Sequence, residues 1–373
     1  MALIALGTAG LEYVVGRRVG VPGPVLASRV SGHLKRGGVL SQKVGQLIAS
    51  RPDIVDDVHL LKELRSLQSV ETAPGVFEAS IAIVQIDPVA GTATKRLRSA
   101  TVAGDGTKLE FALHASKMLS LRVPQMAVIT DALQTLIQEL DLEGELKKNV
   151  MFVDSLAGCR TVQVPTTLTA TADEVVMEYV PCILAKDVQQ PPDLEVVNAF
   201  FREIVLSAVS SGVLHLDLHS GNVGVSLDGR RIVVYDMGSI RQVNSSVTCK
   251  ACIAFVGAAE FTALGEWELL ADHLVRKGIV VSVRDVANLK LMASVALQYS
   301  SGDATSTDIG RCMQTIKGDV NLDQSVFQLL QCVSILEGTC KVLNPAFNIA
   351  GAFTDSAFFL KMGDILERAL MAS

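Results

Sequence analysis

The chain has 373 residues, 49% of them hydrophobic. That is enough to bury one large core or two medium ones, and too apolar for a disordered chain. A net charge of −6 and an isoelectric point near 5.6 exclude a general nucleic-acid binder, which needs a basic footprint to neutralise phosphates.

The apolar start, Met1 to Val15, is interrupted by Gly7, Gly10 and Glu12. It falls short of the ~20 apolar residues that span a bilayer, and it lacks the basic stretch that opens a signal peptide. Up to Arg51 the basic residues are Arg17, Arg18, Arg29, Lys35, Arg36, Lys43 and Arg51, against a lone acid, Glu12. An apolar, basic section of this kind suits peripheral contact with an anionic membrane surface. A first helix packed on the protein itself accounts for the same apolar residues.

Residues 25–70 are predicted helical, with Pro52 ending one helix and Val58 to Leu67 resuming an apolar period near 3.6. Residues 1–70 then form an N-terminal helical extension. Val76 to Ile86 has strand character, Asp87-Pro88 to Gly91 a turn, and a second strand reaches Lys95. A long helical region is expected from Leu109 to Leu146, broken near Pro124 and carrying Glu139, Asp141, Glu143 and Glu145 towards its end. The strand Glu174 to Val180 leads through Pro181 into the polar stretch Asp187-Val-Gln-Gln-Pro-Pro192, a joint between a smaller lobe (71–183) and a larger, mainly helical one (184–373). Beyond it, Leu194 to Val213 reads as an apolar helix, and the chain after Asn244 as largely helical.

That apolar helix delivers His215-Leu-Asp217-Leu-His219-Ser-Gly221-Asn222, followed by a hairpin that turns at Asp228-Gly229 and ends at Val233-Val-Tyr-Asp236-Met-Gly238. An Asp and an Asn five residues apart can aim a carboxylate at a substrate hydroxyl and an amide oxygen at a metal. A second Asp, delivered by an apolar strand before a Gly turn, completes a magnesium site bridging nucleotide phosphates. On this kinase-type reading Asp217 orients or deprotonates the acceptor, and Asn222 and Asp236 hold Mg²⁺. Lys95, at a strand end, is the candidate phosphate contact, and Glu145 the helix-borne acid that would hold it. Polar caps at a helix end are the bland account of Asp217 and Asn222, and a solvated helix face that of the acidic run. His215, Asp217 and His219 could instead belong to a metallohydrolase cluster for zinc or iron.

Seven cysteines scattered over the chain suggest free thiols in a reducing, intracellular compartment. Cys249-Lys-Ala-Cys252 has metal-like spacing without two further ligands, so a pair of helix-borne core cysteines is the expectation.

These motifs, in this order, resemble the UbiB/ADCK family of atypical kinases, also called aarF-domain kinases, from about Val25 to about Ala352. Lys43-Val-Gly-Gln46 followed by Arg51-Pro-Asp53 resembles the family's K-x-G-Q signature, and Ala93-Thr-Lys95 its nucleotide-binding lysine strand. Glu139-Leu-Asp141 with Glu145 resembles its E-x-D element and helix glutamate, and Val176-Met-Glu178-Tyr-Val180 its hinge. The segments Leu336-Glu-Gly338 and Leu343-Asn-Pro-Ala-Phe-Asn348 resemble its terminal segment.

The resemblance implies an α+β, two-lobed, protein-kinase-like fold with an N-terminal helical extension bearing Lys43 and Gln46. It implies ATP (or ADP) and Mg²⁺ as ligands, with Lys95, Glu145, Ala79, Ser80, Glu178 and Val180 around the nucleotide. The extension would lie over the active site, Lys43 pairing with Glu139 beside Asp141, which excludes a protein substrate and leaves a lipid or small-molecule acceptor. It also ties the chain to ubiquinone and other prenyl-lipid metabolism. Three departures stand out. Phe77-Glu-Ala-Ser-Ile-Ala-Ile-Val84 replaces the family's Ala-rich loop, placing the acid Glu78 and the apolar Ile83 there, so a nucleotide-binding regulator with weak catalysis is the alternative. Met237 replaces a Phe in the metal turn and Ser220 a Pro in the catalytic loop, with no functional group lost.

Overall fold

The computed structural model describes residues 2–37, 41–42, 44–45, 57–65, 70–73, 76–78, 82–97, 113–114, 117, 130, 137, 140–252, 265–301, 312, 320–353 and 355–371. Lys43, Gln46, Pro52, Ala79, Ser80, Glu139 and most of the expected 109–139 helix lie outside them. The chain divides into two compact units, Met1–Leu146 with Thr167–Tyr179, and Lys147–Thr166 with Val180–Ser373. One is organised around an antiparallel sheet and the other is mainly helical, as a two-lobed α+β kinase-like fold requires.

The first unit opens with α1 (Ala2–Arg18), α2 (Gly23–Arg36) and α3 (Val58–Arg65). On α2, Leu26, Val30 and Leu34 recur every fourth residue, and all are buried, so this helix presents one apolar stripe. They pack with Ala9 of α1 and Leu60 and Leu64 of α3. Asp57 starts α3 by accepting the N–H groups of His59 (3.0 Å) and Leu60 (3.1 Å), two donors that no helical carbonyl can reach.

The sheet comprises β1 (Val70–Ala73), β2 (Val76–Glu78), β3 (Ala82–Asp87), β4 (Thr92–Leu97), β6 (Thr167–Ala170) and β7 (Glu174–Glu178), with β5 (Val162–Gln163) belonging to the other unit. Its order is β1-β2-β3-β4-β7-β6, antiparallel throughout. The single strand expected over Val76 to Ile86 is two strands, with Glu78 opposite Ile83, so the chain reverses between them. β3 and β4 form the expected hairpin. Asp87 accepts the N–H groups of Val89 and Ala90, and Gly91 takes φ 67°, a left-handed conformation that suits glycine.

The expected helix through Glu139 to Leu146 is interrupted, and α4 (Leu142–Ser155) begins afresh. Asp141 causes this start. Its carboxylate accepts the Gly144 N–H at 2.9 Å, and a Cβ on Gly144 would stand 2.2 Å from that carboxylate. Glu145 therefore lies in the first turn of a new helix, not at the end of an old one.

In the second unit, β8 (Cys182–Leu184) is followed by α5 (Leu194–Ser211), which is capped by Asp193 and ended by Gly212 at φ 73°. Only glycine fits there, since a Cβ would stand 2.2 Å from the Val243 carbonyl. α5 buries Phe200, Phe201 and Ile204 in a core shared with Leu336, Cys340 and Leu343. These last belong to α8 (Gln324–Leu343), the one helix among the described residues long and apolar enough to cross a membrane. Short strands follow α5: β9 (Val213–His215), β10 (Val223–Ser226), β11 (Ile232–Val234) and β12 (Ile240–Gln242). β5, β11, β10 and β8 form a four-stranded sheet, and β9 pairs with β12. The remaining described residues are largely helical, with α6 (Trp267–Arg276), α7 (Val286–Ser301), α9 (Ile349–Ala352) and α10 (Ser356–Met371), but they also hold a small sheet of β13 (Val280–Val283) and β14 (Val320–Leu322).

Candidate active site

The candidate residues fall into two groups, one in each unit. In the first, alternation along β4 puts Lys95 on the same face as buried Ala93 and Leu97. An ammonium on that face requires a partner, and Glu145 supplies it: Nζ donates to Oε2 at 2.9 Å and to Oε1 at 3.2 Å. The side chains are only 12% and 3% exposed, so this is a desolvated pair, not a surface one. On the opposite face Arg96 pairs with Glu174.

The second group is built on strand ends. Strand β9 delivers the loop after His215, and the Leu216 N–H donates to Ser239 at 3.2 Å. Buried Leu218 pins the middle of the loop, its carbonyl accepting the Thr339 hydroxyl of α8. The β10–β11 hairpin turns at Asp228-Gly229, with Gly229 at φ 71° and the Asp228 carboxylate accepting the Arg230 N–H. Val223 pairs with Val234, and the Tyr235 N–H donates to the Asn222 carbonyl at 2.8 Å. Asn222 and Asp236 are thus held at neighbouring ends of one hairpin, as expected.

Asn222 is oriented unambiguously. Its Nδ2 meets the Asp217 carbonyl at 3.0 Å and the Asp217 carboxylate at 3.2 Å, and both are acceptors, so only the NH₂ edge fits there. The amide oxygen is turned the other way. Asp236 adopts φ 58°, ψ 80°, and is the one non-glycine with positive φ among the described residues. Such a conformation costs about 1–3 kcal/mol and persists where the surroundings impose it. Here its carboxylate accepts the Gly238 N–H at 3.3 Å, buried Met237 anchors the next position, and Lys148 donates to the Gly238 carbonyl at 2.7 Å. An amide oxygen and a carboxylate are hard oxygen donors of the kind Mg²⁺ takes, and the fixed Asn222 amide fits that role.

His215 is fully buried, edge-on to Phe152. Its Nδ1 accepts the Asp217 N–H at 3.2 Å, so the proton is on Nε2, which faces the Tyr235 carbonyl at 3.4 Å. Burial drives its pKa down to about 4, against the opposing pull of Asp236, so the ring is neutral. Both nitrogens serve the backbone. His215 therefore scaffolds the loop and offers nothing to the zinc or iron cluster considered above, and no group of three or more His, Cys, Asp or Glu among the described residues could hold a metal ion. His219 is 52% exposed, with Nε2 3.7 Å from the Asp217 carboxylate.

Asp217, Asn222 and Asp236 are brought together, as are Lys95 and Glu145. Glu178 ends β7 and Val180 follows it outside the strand. Ala79, Ser80, Lys43, Gln46 and Glu139 are among the residues left undescribed, and Asp141 acts as a helix cap. All seven cysteines are free thiols; Cys249 is buried and Cys252 partly so. Sequence reasoning missed Lys148, Thr339 and Tyr235. The Tyr235 hydroxyl donates to the Val180 carbonyl at 2.7 Å and lies 3.1 Å from the Cys182 sulfur. A phenol at the end of an otherwise apolar strand was the available signal.

Residues 96–263 match the family model of the ABC1 atypical kinase-like domain. A protein of Paramecium bursaria Chlorella virus 1, provisionally named an ABC transporter, is 22% identical over 358 residues, covering 88% of this chain and 74% of that protein. Among solved structures, Rv3197 of Mycobacterium tuberculosis, in complex with erythromycin, aligns at 15% identity with a TM-score of 0.44, covering 74% of this chain and 73% of that one.

Proposed function

We propose that the protein is a Mg²⁺-dependent ATPase or kinase of the UbiB/ADCK type, acting on a lipid or small-molecule acceptor in support of ubiquinone or other prenyl-lipid metabolism, a reading supported by the match of residues 96–263 to the ABC1 atypical kinase-like domain. The observation that carries this reading is the Asp217–Asn222–Asp236 arrangement, with the Asn222 amide oriented by Asp217 and Asp236 held in a costly backbone conformation. Asn222 and Asp236 would hold Mg²⁺, which when bound neutralises phosphate charge. Lys95, kept in place by Glu145, supplies a point charge to the α- and β-phosphates. Asp217 accepts a hydrogen bond from the acceptor hydroxyl, orients it, and takes its proton.

The N-terminal section supports a membrane-associated setting. Leu11, Val15 and Val19 are exposed at four-residue spacing, with Arg17 and Arg18 beside them. The test is Mg²⁺-dependent phosphate release from ATP, with and without anionic liposomes, by wild type and Asp236→Asn. Release that needs Asp236 and rises with liposomes is expected. Equal turnover by the variant would refute the mechanism, and ATP binding without release would favour the regulator alternative raised by Glu78 and Ile83.

A further inference from the structure

We propose that Tyr235 sets the base preference of the nucleotide site, by capping the Val180 carbonyl so that this linker residue offers a purine a donor and no acceptor. The inference rests on the nucleotide-binding reading above and deepens it. It starts from one phenol and its two neighbours.

The phenol has one proton. A carbonyl can only accept, so at 2.7 Å that proton goes to Val180. The Cys182 sulfur, 3.1 Å from the same phenol oxygen, must then be the donor to it, giving an ordered chain from thiol to phenol to carbonyl. Burial, working against the Tyr235 hydrogen bond, holds the Cys182 thiol above its ordinary pKa, which keeps it a donor. The thiol has room because residue 224 is glycine: a Cβ there would stand 2.3 Å from the sulfur. At its other end Tyr235 is fixed by its backbone N–H to Asn222, next to Asp236.

Val180 precedes Pro181, which restricts it to extended conformations. An extended residue turns its N–H and C=O to the same edge. On that edge the carbonyl is taken by Tyr235, whereas the N–H meets no acceptor among the described residues. Adenine presents a bare N1, an acceptor that an N–H can satisfy. Guanine and hypoxanthine present N1–H, a donor that would need the capped carbonyl. A buried donor without a partner is penalised, and that penalty discriminates between bases.

The experiment is competitive displacement of a fluorescent ATP analogue from the full chain with Mg²⁺, using ATP, GTP, ITP and purine riboside triphosphate. On wild type, ATP and purine riboside triphosphate, both with a bare N1, should compete better than GTP and ITP. Tyr235→Phe exposes the carbonyl, and GTP and ITP should gain about tenfold relative to ATP, the scale of one hydrogen bond. Cys182→Ala leaves the cap in place and should leave the ratio unchanged. A Tyr235→Phe protein in which all four nucleotides weaken by a common factor would show a structural role only, and one in which all four tighten equally would show a phenol that merely blocks the site; either overturns the proposal. Should Tyr235→Phe fail to fold, wild type still decides, because ITP binding as well as purine riboside triphosphate overturns the proposal. Wild type that binds none of the four removes the nucleotide reading itself, and this inference with it.

Discussion

Two features of the candidate site carry measurable electrostatic costs. Lys95 and Glu145 sit on a buried sheet face and a helix start, so removing one leaves the other desolvated without its ion-pair counter-charge. Lys95→Met should therefore lower unfolding free energy by about 3–5 kcal/mol, and Lys95→Met with Glu145→Met should recover much of it, measured in urea. Equal losses in single and double variants would show that the pair is not coupled. His215 is the second case. Its pKa falls from an ordinary 6.5 to about 4 in the folded chain, chiefly through burial. Between those values the unfolded chain binds a proton that the folded one refuses, so the stability it contributes is complete above pH 6.5 and is lost as pH falls towards 4. The loss should be on the order of 3 kcal/mol in metal-free buffer, and His215→Asn should remove that step. At this scale the grouping of Asn222 with Asp217 and with Asp236 was legible because it depends on one short loop and one hairpin. Lys148 and Tyr235 were not, because their partners, Gly238 and Val180, are 90 and 55 positions away.

At the scale of elements, legibility followed turn chemistry. The hairpins at Asp87 to Gly91 and Asp228-Gly229 were readable, since a carboxylate that caps backbone N–H groups and a glycine at positive φ are local signals. The break before α4 was missed because helical periodicity continues through Leu140 and Leu142, while the interruption comes from the Asp141 side chain folding over Gly144. A specific consequence follows for Gly144. Alanine is the better helix former by about 1 kcal/mol. Even so, Gly144→Ala should destabilise, because its Cβ would meet the Asp141 carboxylate at 2.2 Å. Asp141→Ala should cost about 1 kcal/mol as a lost cap, and adding Gly144→Ala to it should then stabilise. Gly144→Ala that stabilises wild type would refute this account of how Glu145 is positioned. The reversal between β2 and β3 was missed for a related reason: Phe77 to Val84 has no glycine or proline and alternates apolar residues with Glu78 and Ser80 before an apolar run, so periodicity alone reads it as one strand.

For the whole molecule, composition and motif order pointed to an α+β kinase-like fold, and the family match over residues 96–263 together with the sheet-rich and helix-rich units accords with that reading. The acceptor was not legible, because it would be recognised by surface and shape, not by a spaced motif. The functional proposal turns on Asn222 and Asp236, at neighbouring ends of one hairpin, holding Mg²⁺ for a bound nucleotide. Isothermal titration calorimetry of ATP into the full chain, with Mg²⁺ or with EDTA, for wild type and Asp236→Asn, tests this most directly. The account predicts binding that is strong only with Mg²⁺ and only with Asp236 in place. ATP binding that is unchanged by EDTA and by Asp236→Asn would contradict it.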